Sequence, residues 1–249
     1  LSVVLREMTK ELSDRMDAID SFAADVAHEI KNPLSSIRSA VETVERVKDE
    51  KSRKKLMDII SHDVKRLDRL ITDISNSSRL DSELSRERMS AVDVVGLLYE
   101  LSDLYQNPLD DNQKHKVSVI IDTPQYNEIN VMGNRDRLAQ VFTNLITNAI
   151  SFSSHNSEIH ISIYQQENKQ IICIMDQGSG IPDNKLETIF DRFYTERPDH
   201  ENYGNHSGLG LSISKQIIEA HEGKIWADNE ISEDGDIIGA KFYVSLHVA

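Results

Sequence analysis

The chain has 249 residues, 39% hydrophobic and 28% charged, an ordinary balance with apolar material for one large domain or two modest ones. A formal charge of −14 argues against nucleic acid as a partner, and a nucleotide triphosphate would need a cation and local donors to bind. A single cysteine, Cys173, excludes an internal disulfide, and no apolar run approaches the ~18–20 residues that cross a bilayer.

Residues 1–48 read as one long helix. Apolar positions step in threes and fours through Leu12, Met16, Ile19, Ala23, Val26, Ile30, Pro33, Ile37, Ala40, Val44 and Val47, an a/d seam held for several heptads. With Val26 at d and Ile30 at a, His28 falls at f, pointing away from any partner helix. That placement suits a nucleophile reached from outside, although a solvated surface histidine is the commoner case. Pro33 removes the donor that would pair with the Glu29 carbonyl, so a bend is expected one turn after His28. A charged turn at Lys48–Arg53 precedes a second helix with seam Leu56, Ile60, Val64 or Asp63, Leu67, Leu70 or Ile71, and Ile74. Two such helices form an antiparallel hairpin, and one hairpin covers so long a stripe poorly. A second copy would complete a four-helix bundle, which predicts a homodimer.

Composition changes near residue 88, which predicts domains at 1–88 and 89–249. Expected next are a helix at Val92–Gln106, a strand at Lys116–Asp122, a turn at Asn130–Asn134 and a helix from Asp136 to about Phe152. Strands at Glu158–Gln165 and Gln170–Asp176 follow, the second holding Cys173 in its apolar run. After a Gly-, Asp- and Asn-rich stretch come a helix at Leu209–His221 and strands at Lys224–Asp228 and Ile237–His247. This order indicates an α/β sandwich, with helices on one face of a mixed sheet.

Four stretches of the second domain look chemical. Asn144 and Asn148 stand four apart on one helical face, and neutral amide oxygens suit a magnesium ion already carrying phosphate oxygens. Equally, they could cap or satisfy nearby backbone. Asp176-Gln-Gly178-Ser-Gly180 ends an apolar strand, where a carboxylate can accept from an exocyclic amine and two glycines admit close approach. Taken alone it is also a plain turn. Phe190-Asp-Arg192-Phe193 offers Arg192 to a phosphate, though such aromatics more often build core. Ser207-Gly208-Leu209-Gly210-Leu211 opens a helix whose unpaired N–H groups form a phosphate cradle. The loop Asp199–Ser207 has the composition of a mobile lid. His62 with Asp63, and His155 with His160, lack recognisable ligand spacing and read as surface or structural.

In this order the motifs resemble the sensor histidine kinases of two-component systems: an H box at Phe22–Leu34, N box at Asn144–Asn148, G1 box at Asp176–Gly180, F box at Phe190–Phe193 and G2 box at Ser207–Leu211. The resemblance covers residues 10–247. Within the family, 77–84 and 207–216 are similar to the ChvG/ExoS/BvrS group of alphaproteobacteria. The resemblance implies a dimeric histidine-phosphotransfer hairpin followed by a Bergerat-type ATP-binding domain, with ATP and Mg2+ as cofactors. It makes His28 the phosphoacceptor, Glu29 its activating neighbour, Asn148 the principal magnesium ligand and Asp176 the adenine partner. Asn32 takes the place that, in relatives with an H-E-x-x-N motif, positions water for dephosphorylating the partner. The implied partner is a response-regulator receiver domain. The chain starts at Leu1, and the resemblance implies the cytoplasmic portion of an inner-membrane protein, reaching the membrane only through segments it lacks. Two departures stand out: Ser151 and Phe152 replace a lysine and tyrosine common in relatives, and His206 replaces a glycine. Rival readings are a non-catalytic nucleotide-binding dimeric adaptor, or a gyrase- or mismatch-repair-type ATPase of the same fold.

Overall fold

The computed structural model describes residues 2–84, 87–106, 118–122, 129–154, 157–194 and 207–249. It divides into two compact units, one built from 1–78 with 192–209 and the other from 79–191 with 210–249.

The first unit is dominated by α1 (Ser2–Val44) and by α2 (Glu50–Leu84), whose last turn from Arg79 belongs to the second unit. α1 runs through Pro33 without a break, and the proline ring is buried. Its end is closed by Arg46 and Val47 N–H groups donating to the Thr43 carbonyl. α2 is capped by Asp49, whose Oδ2 accepts from the backbone and hydroxyl of Ser52 at 2.9 and 2.7 Å. Those bonds, the hydroxyl's first, hold the exposed Asp49 carboxyl below the usual aspartate value.

Burial resolves the two ambiguities of the α2 seam. Asp63 and Leu70 are buried, whereas Val64 and Ile71 are exposed. The observed series Leu56, Ile60, Asp63, Leu67, Leu70, Ile74 alternates steps of four and three, so geometry places a carboxylate at a seam position that hydrophobicity alone would give to Val64. At f, His28 is exposed, while Val26 and Ile30 on either side are partly covered.

The second unit is a sheet with helices on one face. β2 (Ser118–Asp122), β4 (Glu158–Gln166), β5 (Lys169–Met175), β7 (Ile237–His247) and β6 (Lys224–Ile231) lie side by side in that order. Only the β2–β4 pairing is parallel. Alternation does the sorting: Ile159, Ile161 and Ile163, Ile172 and Ile174, and Phe242, Val244 and Leu246 are buried on the helix-bearing face. Against them lie Leu138, Val141, Phe142, Leu145 and Ile146 of α4 (Arg135–Phe152) and Ile213 and Ile217 of α5 (Gly210–Ala220). The opposite face carries the stacked pair Trp226–Tyr243, with ring centroids 5.1 Å apart.

Two expectations fail locally. The segment Ser90–Asp93 is a strand, β1, so the following helix α3 (Val94–Gln106) begins two residues later than its apolar run suggests. Asn130–Gly133, expected as a turn, is strand β3 and pairs antiparallel with β1. Each has four residues, too few to show a period, and each is specified by its partner across a long sequence separation. Cys173 is buried in β5 as expected, and burial pushes its thiol pKa up.

Candidate active site

In the first unit, His28, Glu29 and Asn32 share a stretch of α1. His28 and Asn32 are exposed and Glu29 is half-buried. The Glu29 carboxylate is held from α2, with Arg66 Nη2 at 3.1 Å from Oε2. Sequence spacing did not single out Arg66. His62 Nδ1 lies 3.6 Å from Asp63 Oδ1 on the same helix. Arg192 is also in this unit, its guanidinium 5.0 Å from the Phe22 ring centroid, with Phe193 stacked on Phe22 at 6.0 Å. The Phe193 backbone is left-handed, φ 61°, and its N–H donates to the Gly208 carbonyl at 2.9 Å. Ser207 is buried and its Oγ accepts from Leu209 N–H at 3.2 Å, which holds the entry to α5.

In the second unit the central residue is Asp176, at the end of β5. Its Oδ1 accepts from Gly178 N–H at 2.9 Å and from Ala240 N–H at 3.0 Å. Burial raises its carboxyl pKa above the ordinary aspartate value, while the Ala240 and Gly178 donors pull the other way. Both donors converge on one oxygen, which fixes the carboxylate plane. The glycines beside it are there for space. A Cβ on Gly178 would come within 2.6 Å of the Phe152 carbonyl oxygen, and Gly180 has φ +73°.

Two residues that complete this corner escaped the sequence reading. Gly239 on β7 passes so close that a Cβ would lie 2.0 Å from the Asp176 carbonyl oxygen. Asn229 on β6 clamps the backbone of Ile181, accepting its N–H at 2.8 Å and donating to its carbonyl at 2.7 Å. Neither is near Asp176 in sequence, so no local motif marks them.

The two amides of α4 differ. Asn144 Nδ2 donates to the Gly210 carbonyl at 3.2 Å and contacts Ser214 Oγ at 3.4 Å, which ties α4 to the first turn of α5. Asn148, one turn on, is half-buried on the same face. The helix carrying both is set at its start: Asn134 Oδ1 accepts from Asp136 and Arg137 N–H groups. The Asn134 N–H in turn donates to His221 Nε2 at 3.0 Å. Arg137 pairs with Glu87 and with Glu83, at 2.7 and 2.6 Å. Hydrogen bonding to Glu87 is the main reason its guanidinium pKa is raised. His160 pairs with Glu158 at 3.3 Å. Residues 195–206, including most of the expected lid and His206, and also His155, lie outside the described residues. Among the described residues no cluster of three or more His, Cys, Asp or Glu forms a metal site, and no helix is long and apolar enough to cross a membrane.

Comparison with known families agrees with this division of labour. Residues 18–83 match the His Kinase A (phospho-acceptor) domain, which contains His28, Glu29 and Arg66. Residues 133–249 match the Histidine kinase-, DNA gyrase B-, and HSP90-like ATPase family, which contains every motif from Asn144 to Gly210. The chain belongs to the sensor histidine kinases.

Among sensor kinases of known sequence, the chain is 47% identical to sensor protein ChvG of Rhizobium meliloti over 99% of its length, and 47% identical to ChvG of Agrobacterium fabrum over all of it. It covers 43% and 42% of those two proteins, so it spans less than half the length of either ChvG. It is 31% identical to sensor protein kinase WalK of Staphylococcus aureus over 94% of this chain and 59% of that one. Histidine kinase ThkA, solved in complex with response regulator protein TrrA, superimposes with a TM-score of 0.71 at 27% identity, covering 95% of this chain and 64% of that one. Acinetobacter baumannii histidine kinase AdeS shares the fold, with a TM-score of 0.62 at 22% identity, covering 89% of this chain and 98% of AdeS.

Proposed function

We propose that this sensor kinase phosphorylates itself on His28 with ATP and passes the phosphoryl group to an aspartate of a response-regulator receiver domain. The observation that carries the reading is the exposure of His28 at f on a helix matching the phospho-acceptor family, in a chain whose other unit buries Asp176 beside two glycines. A histidine whose reaction partner is brought by another unit has to face outward.

Asp176 would accept the adenine amine on the carboxylate oxygen not already fastened by Gly178 and Ala240. Gly178 and Gly180 leave room for the ring. Gly208 and Gly210, at the entry to α5, would offer backbone N–H groups to phosphate oxygens, with Arg192 as an added cation. Asn144 ties α4 to α5 through its amide nitrogen, and Asn148, half-buried one turn on, would hold the ion through its amide oxygen. Magnesium, when bound, neutralises charge on the phosphate oxygens. The donor chemistry fits, because an amide oxygen is a hard neutral ligand suited to such an ion.

In the transfer, an imidazole nitrogen of His28 forms a bond to the γ-phosphorus. The bond from that phosphorus to the bridging oxygen breaks, and ADP leaves with the electron pair. The proton on the other ring nitrogen passes to, or is held by, Glu29. Asn32, one turn on, would orient water for the reverse task of dephosphorylating the regulator. ThkA, solved with a response regulator, supports a partner of that kind. The exposed apolar positions Met57, Val64 and Ile71 of α2 support homodimerisation through the hairpin. The gyrase-type reading leaves α1 and α2 without a role, and the adaptor reading gains no support from the relatives.

The test is incubation with γ-labelled ATP and magnesium. Wild type is expected to take up label, Asn148→Ala none, and Asp176→Asn markedly less at ATP concentrations that do not saturate it. Equal labelling of all three would contradict the assignment of the nucleotide site.

A further inference from the structure

Glu29 and Arg66 meet across the hairpin, each one step before a seam residue, Ile30 and Leu67, and so both at g. Flanking pairs at such positions are common in packed helices and at the surface contribute little. This pair differs in two respects. Its side chains are only 21% and 19% exposed, and it includes the residue next to His28. Polar atoms around it are also left over: Arg66 Nε, His62 Nε2 and Asp63 Oδ2 are buried without hydrogen-bond partners among the described residues. Arginine–carboxylate pairs are frequently two-bond forks. Here one nitrogen reaches one oxygen, and a buried donor stays unspent.

We propose that Arg66 is a positioning residue for phosphoryl transfer: its contact with Glu29 Oε2 fixes that carboxylate so that the other oxygen serves the His28 imidazole. Arg66 acts through Glu29 and not on the reacting atoms. The proposal rests on the reading of His28 as phosphoacceptor and Glu29 as its proton partner. A carboxylate anchored through one oxygen loses its rotamer freedom, which keeps the proton of the distal ring nitrogen directed while the near nitrogen attacks phosphorus. Freed from Arg66, Glu29 would sample solvent-directed rotamers, and the attacking geometry would be reached less often.

Initial rates of phosphohistidine formation at varied ATP test this on the 249-residue chain, using wild type, Arg66→Met, Arg66→Lys, Glu29→Gln and the Arg66→Met/Glu29→Gln double variant. Arg66→Met is expected to lower kcat by about tenfold to a hundredfold, the scale of a misplaced catalytic group, with KM for ATP unchanged. Arg66→Lys recovers part of the loss. In the Glu29→Gln background, Arg66→Met costs nothing further. A kcat unchanged by Arg66→Met, or losses that multiply in the double variant, would overturn the proposal. If the methionine variant fails to fold, Arg66→Lys decides: a wild-type melting temperature with reduced kcat supports positioning, and an unchanged kcat refutes it. Wild type that takes no label on His28 refutes the underlying reading and this proposal with it. A labelled wild type beside an equally labelled Arg66→Met refutes this proposal alone.

Discussion

His221 accepts a hydrogen bond from the Asn134 N–H at 3.0 Å through Nε2, while its Nδ1 lies 2.7 Å from the Ile217 carbonyl oxygen. Only the neutral ring, protonated at Nδ1, satisfies both neighbours. A histidine at the end of α5 thereby sets the first residue of the cap of α4, the helix that carries Asn144 and Asn148.

That arrangement has a pH signature. Burial lowers the His221 pKa, more than the Ile217 carbonyl and Glu87 raise it, and Arg137 adds to the lowering. The unfolded chain therefore binds a proton before the folded one does as pH falls. Stability is full above the ordinary imidazole pKa of about 6.5 and is lost as pH drops from there toward the depressed folded value. Thermal unfolding measured from pH 7.5 down to pH 5 should show a falling midpoint, and His221→Gln should flatten that slope. A slope equal in both proteins would exclude His221 as its source.

Asp176 has the opposite sign. Its folded pKa is raised, so the folded state favours the neutral carboxyl, and stability declines as pH rises through that value. At pH 7, Asp176→Asn is expected to melt no lower than wild type, since the amide oxygen can still accept from Gly178 and Ala240. Its affinity for ATP should nevertheless fall by about tenfold to a hundredfold, from loss of a charged hydrogen-bond acceptor. Calorimetric titration with ATP, paired with thermal unfolding, reads both quantities.

Gly239→Ala would drive a Cβ into the Asp176 carbonyl oxygen. The neighbour is backbone, so β5 and β7 must part locally, at a cost of about 1–3 kcal/mol typical of overpacking. Denaturant unfolding should show that loss, and ATP affinity should fall with it because the Asp176 carboxylate is held by the next residue, Ala240.

Met57, Val64 and Ile71 repeat every seven residues along α2 and are 53%, 51% and 59% exposed. Leu34 and Val41 repeat likewise along α1. Exposed apolar rows at heptad spacing on both helices of the hairpin suit the cover that a second copy gives in a four-helix bundle. Light scattering should give a dimer for wild type and a monomer for the Val64→Glu/Ile71→Glu variant. A wild-type monomer would end the dimer reading.

Regular periods made much of this legible. The α1 seam from Val26 onward, the f position of His28 and the alternation of β4 could be read directly, and β5 showed as a continuous apolar run, whereas Met16 and Ile19 of the predicted seam are exposed. Asp63 could not, since hydrophobicity points to Val64 and only the packed hairpin puts the carboxylate inside. β1 and β3 are each too short to show a pattern and exist because they pair. At the candidate site, Asp176 and its glycines announce themselves within five residues. Gly239, Asn229 and His221 act from elements far away in sequence, and their roles appear only when the sheet closes. Arg66 belongs to the same class, as a charge on a helix face until Glu29 is seen beside it.

The central claim is that His28 receives the phosphoryl group of ATP. The most direct measurement is incubation with γ-labelled ATP followed by acid and base treatment, on wild type and on His28→Ala. The account predicts acid-labile, base-stable label in wild type and none in His28→Ala. Label that persists in His28→Ala, or a wild type that binds ATP and remains unlabelled, would contradict it.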